Sequence, residues 1–447
     1  MRVGLITLGC DKNTVDNEYL AGLLESGGCE VLAVDNFAGE TPLDAVVITT
    51  CGFIGDAKEQ SVQTIVSVAE MKRTTGNPRR LFVAGCLAQR YAADLRGEIP
   101  EIDGIVGVGQ FAELAAMIRS EDAPACLVRE TPLVEINGTL SRKRLDTKPY
   151  AYLKIADGCN HRCAFCAIPA MKGPFRSVPP EALIEEARAL LKQGVRELNL
   201  IAQDITAYGL DRGDCRLPDL IRRLALLEGD FWIRCLYAYP GGITSELIET
   251  MASTPKVVHY LDMPVQHLDA GVLRRMNRPA WDLDLGALLG QLRSAMPDVV
   301  LRTTILVGFP GETAAEHRRL LEGLREHFFQ WAGVFSYSRE EGTTADAMPR
   351  HPGKHTREKR RQDVQDLQSA ISAQYNVSRI GARTRVLLES FDDVQGLWMA
   401  RSPGEAPEVD GCVFVAPADG LAQGQFIEVE IRQASGFDVF AVSVQEP

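Results

Sequence analysis

The chain has 447 residues, enough for roughly two to four domains with their own cores, and its 48 Lys and Arg against 60 Asp and Glu give a net charge of -12. That balance disfavours non-specific nucleic-acid binding by the whole chain, although a local basic groove is compatible with it. Apolar residues at 45% and charged residues at 24% describe an ordinary globular protein, and no apolar run approaches the roughly 18 to 20 residues of a membrane helix. Met1-Arg2 leads directly into "VGLITL" rather than into a signal peptide, so a cytoplasmic protein is expected. A reducing compartment keeps the eleven cysteines free and makes any cluster of them a candidate for metal or redox chemistry.

Residues 1–128 alternate apolar runs with amphipathic stretches: "VGLITL", "TVDNEYLAGLLESGG", "LDAVVIT", "IGDAKEQSVQTIVSVAEMK", "RLFVAG", "GIVGV" and "FAELAAMIRS". In the first helical stretch Tyr19, Leu20, Leu23 and Leu24 share a face, and Gly27 is a natural stop. The pattern predicts a small doubly wound α/β domain. Three of its strands end alike, in "LITLGC", "VVITTC" and "LFVAGC", which places Cys10, Cys51 and Cys86 at strand-to-loop junctions. Neighbouring strands lie about 4.8 Å apart, so three thiols at such ends can converge. Free cysteine is often just a small buried apolar residue, and Cys29, Cys126, Cys215, Cys235 and Cys412, which lack that placement, are expected to be packing or surface residues.

After the polar stretch "NGTLSRKRLDTKP", residues 143–376 carry six candidate βα units, with strands "AYLKIA", "RELNLIA", "FWIRCLY", "VVHYLDM", "VVLRTTILVG" and "WAGVFSY". They predict a partial (βα)6 barrel whose active mouth faces the carboxyl ends of the strands. "HTREKRRQDVQDLQSAISAQYN" is expected to be a helix with its basic face in water. From residue 377 to 447, "TRVLLES", "GLWMARS", "GCVFVAP", "FIEVEIRQ" and "FDVFAVSV" predict a small five-stranded β-barrel.

"DGCNHRCAFCAIPA" gathers Cys159, Cys163 and Cys166 directly after the first strand of the central segment. Structural zinc takes four ligands, and a knuckle using His161 would lack a matching pair elsewhere. A cubane iron-sulfur cluster held by three cysteines leaves one iron open, which marks a catalytic centre. Gln203 and Asp204 follow the second strand, Gln266 and His267 the fourth, and Gly308 to Glu312 the fifth, so all fall at the active mouth. Gln203, Gln266, Gly308 and Glu312 are the candidate cosubstrate contacts. His267 suits either such a contact or loop packing.

The C-x3-C-x2-C spacing resembles the radical S-adenosylmethionine (SAM) superfamily. The resemblance implies that Cys159, Cys163 and Cys166 carry catalysis by ligating a 4Fe-4S cluster whose open iron binds SAM, leading to a 5'-deoxyadenosyl radical. "LGCDKNTVDNE", "TTCGFIGDAKEQS", "VAGCLAQRY", "GCNHRCAFCAIP", "LIAQDITAYG", "MPVQHLDAGVLRRMNR", "ILVGFPGET" and the terminal barrel, which is TRAM-like, narrow it to the methylthiotransferases. In that family Cys10, Cys51 and Cys86 correspond to ligands of a second 4Fe-4S cluster, associated with the inserted sulfur. One SAM would donate a methyl group to that sulfur and another would yield the radical.

The family acts either on a modified adenosine of transfer RNA or on the β-carbon of an aspartate in a small-subunit ribosomal protein, the twelfth. "GCDKNTVDNE", with Lys12, and "EAPEVDG" resemble the ribosomal-protein, RimO-like branch. Residues 377–447 hold five Arg, no Lys and eleven Asp or Glu, a net of 5 - 11 = -6, which would repel phosphates and attract a basic ribosomal protein, free or within the subunit. Asn17, Thr49, Gln60 and Val178 depart from the family pattern, which has Ser, Asn, Glu and Arg there. The expected partners are that ribosomal protein and a reducing donor such as flavodoxin, with no membrane and with nucleic acid secondary. The reading from another class is a non-catalytic iron-sulfur scaffold or electron carrier.

Overall fold

A computed structural model describes residues 1–34, 41–120, 125–130, 141–278 and 282–444. Part of the polar linker, 137–140, and Glu446 of the acidic count lie outside the described residues. The chain packs as two compact units, one of Met1–Thr147, Lys154–Ala182 and Ser338–Asp346, the other of Lys148–Leu153, Leu183–Tyr337 and Ala347–Pro447. This division cuts across the three segments read from the sequence, because the three-cysteine loop packs with the N-terminal domain and the terminal strands pack with the central sheet.

The first unit is built on a six-stranded sheet in the order Glu30–Ala33, Arg2–Thr7, Ala45–Thr50, Arg80–Gly85, Gly104–Val106 and Cys126–Leu127. Every pair is parallel. Apolar side chains alternate between two cores, as strand geometry requires. Val3, Leu5 and Val47 meet Leu20, Leu24, Leu114 and Ile118 on one face. Ile6, Val46 and Ile48 meet Ile65, Val68 and Leu87 on the other. The two outermost strands were not expected; four and two residues long, they carry too little pattern to stand out. Helix Asp11–Ser26 stops at Gly27, as read from the sequence; Gly27 caps it with φ -88°, and Gly28 adopts the left-handed conformation at φ 82°.

In the second unit the sheet order is Trp331–Ser336, Val300–Val307, Val257–Asp262, Trp232–Cys235, Glu197–Ile201 and Tyr150–Lys154. The first five strands run parallel. All six are those read from the sequence. The five expected C-terminal strands close into a barrel in the order Arg383–Asp392, Leu397–Arg401, Val413–Val415, Asp438–Ser443 and Phe426–Ser435. Its interior holds Val386, Leu388, Val413, Val429, Ile431 and Val439.

The loop between the barrel's second and third strands joins it to the sheet through buried polar contacts. Arg234 Nε donates to Glu197 Oε1 at 2.6 Å, Arg401 Nη2 to Glu197 Oε2 at 2.5 Å, and Arg234 Nη1 to the Pro403 carbonyl at 2.7 Å. Trp331 Nε1 donates to the Gly404 carbonyl at 2.7 Å and Tyr260 Oη to Asp410 at 2.6 Å. Glu408 accepts from Tyr150 and Tyr152 at 3.0 and 3.1 Å. Glu405 and Asp410 of the segment "EAPEVDG" therefore spend their charge internally, which corrects their reading as part of a partner-facing surface, whereas Glu408 stays exposed and pairs with Lys148. The helix Lys354–Ser378 likewise departs from its expected fully solvated basic face: Arg360 is buried and donates to the Glu312 carbonyl at 3.0 Å.

Glu197 is fully buried between two guanidinium groups. Burial acts to raise its pKa, but Arg401 and Arg234 outweigh it and hold the carboxyl below the usual range. Glu197→Ala leaves Arg234 without its paired carboxylate and Arg401 with Glu389 alone, so equilibrium denaturant unfolding of this unit should show a loss of about 3 kcal/mol.

Candidate metal centre

Cys10, Cys51 and Cys86 follow the adjacent strands Arg2–Thr7, Ala45–Thr50 and Arg80–Gly85 at one edge of the first sheet. Close approach of their turns depends on glycine. A Cβ on Gly9, whose φ is 97°, would stand 2.7 Å from the Cβ of Cys51 and 3.3 Å from its sulfur. A Cβ on Gly52 would stand 2.9 Å from the backbone of Cys86. Asn13 Nδ2 donates to the Leu8 carbonyl at 2.6 Å and to the Thr50 carbonyl at 3.3 Å, clipping two of the three strand ends together. Burial pushes the Cys86 thiol up to about 12 and raises Cys51, and the three sulfurs lie close enough to act on one another electrostatically. A metal must therefore displace protons to gain thiolate ligands here.

The loop carrying Cys159, Cys163 and Cys166 belongs to the same unit. A two-stranded ribbon, Ala156–Asp157 with Arg176–Ser177, closes its base. Inside it, Cys159 N donates to the Gly173 carbonyl and Cys166 N to the Cys163 carbonyl, each at 3.1 Å. The loop lies against the strand-end thiols through one apolar cluster of Cys86, Val108, Ala167 and Met171. The segment Ser338–Asp346, which nothing in the sequence singled out, binds both sides. Ala345 N donates to the Ala164 carbonyl at 2.8 Å, and Glu340 takes Lys58 at 2.7 Å and Arg90 at 2.9 Å while Arg90 also holds the Gly52 carbonyl.

Among the described residues no three His, Cys, Asp or Glu side chains form a site for a single metal ion. A cubane cluster makes a different demand, since its thiolates bind separate irons. Three thiols at adjacent strand ends and three within one loop supply the thiolate number that such a cluster takes. The buried charges around them are balanced. Lys154 pairs with Asp16 and, at 3.2 Å, with Asp157, and Lys172 lies 3.4 Å from each of the same two carboxylates.

In the second unit Gln203, Gln266 and Gly308 stand at the carboxyl ends of their strands, as expected. Gln266 has φ 69° and is pinned by Gln266 N to the Thr304 carbonyl at 2.8 Å and Leu306 N to the Gln266 carbonyl at 2.7 Å. Such backbone strain in a non-glycine residue gathers at functional sites. Gly308, at φ 73°, leaves room for Arg357, whose Cγ would be 2.4 Å from an added Cβ. Glu312 turns inward and accepts from the amides of Gly308 and, at 3.1 Å, Phe309. His267 is fully buried, with Nδ1 accepting from Asp269 N at 2.9 Å. Asp204 caps the next turn by accepting from Thr206 N at 2.9 Å.

Family models match three stretches: uncharacterized protein family UPF0004 at residues 2–107, the radical SAM superfamily at 153–324 and the TRAM domain at 380–444. Similar chains include the "Ribosomal protein uS12 methylthiotransferase RimO" of Pelotomaculum thermopropionicum, 42% identical with 99% of each chain covered, and of Moorella thermoacetica, 44% identical with 97% of each covered. This chain belongs to the RimO family. The fold also resembles the radical SAM methyltransferase TsrM of Kitasatospora setae, with TM-score 0.55, 14% identity and coverage of 95% of this chain and 80% of that one. No helix among the described residues is long and apolar enough to cross a membrane.

Asn17 and Thr49, read from the sequence as departures from the family pattern, are bonded to each other. Thr49 Oγ1 donates to Asn17 Oδ1, and Asn17 Nδ2 donates to Thr7 Oγ1 at 2.6 Å, so the unusual pair forms one buried link beside the strand-end thiols.

Glu312 supplies a pH test. Burial acts to raise its pKa, but His267, His317 and Arg360, at 3.9, 3.6 and 3.3 Å from Oε1, outweigh it and bring the carboxyl from 4.5 to about 2. The stabilisation is present above pH 4.5 and is lost as pH falls toward 2. The unfolding free-energy difference between wild type and Glu312→Gln should shrink across that interval.

Proposed function

We propose that this RimO-family chain is a radical SAM enzyme that methylthiolates the β-carbon of an aspartate in ribosomal protein uS12. The observation that carries the reading is similarity to RimO proteins over nearly the whole chain, with both cysteine triplets held in one compact unit. Cys159, Cys163 and Cys166 would hold one 4Fe-4S cluster, and Cys10, Cys51 and Cys86 another. When bound, the first supplies the electron that cleaves SAM to a 5'-deoxyadenosyl radical, and the second provides the place where sulfur is held.

The chain's own residues position and shield. Gly308 would shape the turn that meets the cosubstrate beside Arg357, and Gln203 and Gln266 would offer carboxamides from strand ends on either side of Trp232–Cys235. Glu312 and His267 act through the Gly308 loop, because both side chains are buried beneath it. Arg90, Glu340 and Lys58 fix the Cys51 turn. Asp393, Asp419 and Glu428 remain exposed on the terminal barrel and suit a basic partner, free or in the ribosomal subunit. The enzyme would work in the cytoplasm with a one-electron donor of flavodoxin type.

Anaerobically reconstituted protein should bind about eight irons in two clusters. With SAM, a reductant and uS12 it should yield 5'-deoxyadenosine and a methylthio adduct on aspartate, seen by mass spectrometry. Cys163→Ala should abolish SAM cleavage and keep about half the iron. An adduct on transfer RNA alone would overturn the substrate assignment, and absence of 5'-deoxyadenosine would overturn the enzyme reading in favour of an electron carrier.

A further inference from the structure

Six non-glycine residues among those described hold a positive φ: Tyr237, Gln266, Asn277, Phe328, Arg350 and Glu408. Asn277 and Phe328 follow the helices Ala270–Arg275 and Ala314–His327, where a left-handed residue is an ordinary way to stop. Tyr237 stops no helix. It stands two residues beyond the strand Trp232–Cys235, at a carboxyl end flanked by the strands that lead to Gln203 and Gln266, and its φ is 64°. A bulky residue in that conformation is strained, and such strain persists only where the surroundings impose it.

Two buried aspartates impose it, one from each neighbouring strand. Tyr237 N donates to Asp262 Oδ2 at 3.2 Å, and Ala238 N to the Asp262 carbonyl at 2.8 Å. On the other side Ile205 N donates to the Tyr237 carbonyl at 3.1 Å, and Tyr239 N to Asp204 Oδ1 at 3.4 Å. Asp204 and Asp262 are only 3% and 4% exposed, so the clamp is part of the interior. What it delivers is one side chain: from Phe231 to Pro240 every residue except Tyr237 is buried. The carboxyl face of a βα sheet is where substrates are met.

We propose that Tyr237 is a substrate-binding residue whose phenol hydroxyl donates to the carboxylate of the target aspartate. The inference rests on the function proposed above and adds the group that orients the substrate. Gln203 and Gln266, the candidate cosubstrate contacts, stand at the strand ends on either side, so a carboxylate held at Tyr237 sets its β-carbon beside the cosubstrate. Positive charge to favour an anion is at hand, because the Arg278 guanidinium lies 4.7 Å over the ring of Tyr239. Asp262 opposes an anion less than a bare carboxylate does, since Arg302 Nε lies 3.9 Å from its Oδ1. A neutral O–H donor completes such a site with a short, directional bond.

The test uses full-length reconstituted protein with uS12, SAM and a reductant. Tyr237→Phe should weaken uS12 binding about tenfold, the loss of one hydrogen bond to a charged group, and leave SAM binding at its wild-type value. It should also raise the amount of 5'-deoxyadenosine released per methylthio adduct, because SAM cleavage then outruns transfer to a displaced β-carbon. Tyr237→Gly relieves the backbone strain, so it should melt near the wild-type temperature while showing the same two losses, a combination that a packing role does not give. Tyr237→Phe alone carries the test should the glycine variant not fold. Wild-type uS12 affinity and coupling in Tyr237→Phe, or weakened SAM binding in place of weakened uS12 binding, overturns the inference. Wild-type protein that forms no adduct on uS12 overturns the function proposed above.

Discussion

In a parallel sheet every strand points the same way, so the chain leaves each strand at the same edge and must travel back outside the sheet before the next. Both units of this protein obey that constraint. In the first it delivers three cysteines, far apart in sequence, to three adjacent strand ends; in the second it delivers Gln203, Gln266 and Gly308 to corresponding positions. The strand interiors contribute only the rigidity. Val46, Val47 and Ile48 are wholly buried, and their packing fixes where the next loop begins.

Rigid edges alone do not fix a loop, and here hydrogen bonds and charge finish the task. The cysteine loop is closed by its short ribbon and seated on Asp16, Lys154, Asp157 and Lys172. The Gly308 loop is held from below by Glu312, which is held in turn by Arg360. In each case a carboxylate fixes backbone or cation geometry.

The strands, both cysteine triplets and the terminal barrel were legible in the sequence because each depends on local pattern: apolar runs of strand length, three of them ending alike in cysteine, close spacing of the loop cysteines, turns at regular intervals. The use of charge was not. Arg360 sits in a run that reads as a solvated helix face, and Glu405, Glu408 and Asp410 read as part of an acidic surface. Their partners, Glu312, Arg379, Lys148 and Arg302, lie in remote segments. Asn17 and Thr49, 32 residues apart and two separate departures in the sequence, are bonded side chain to side chain. Lys172 carried no signal, since one lysine near a cysteine motif is unremarkable until its two carboxylates are placed around it.

The loop from Ser402 to Asp410 has a consequence for how the terminal barrel can be treated. Arg234, Arg302 and Tyr260 belong to the sheet, yet each finds its polar partner in that loop. The barrel is thus no detachable accessory. A truncation ending near residue 378 would strip these sheet residues of their counterparts, and its failure would report a broken scaffold rather than a lost docking module.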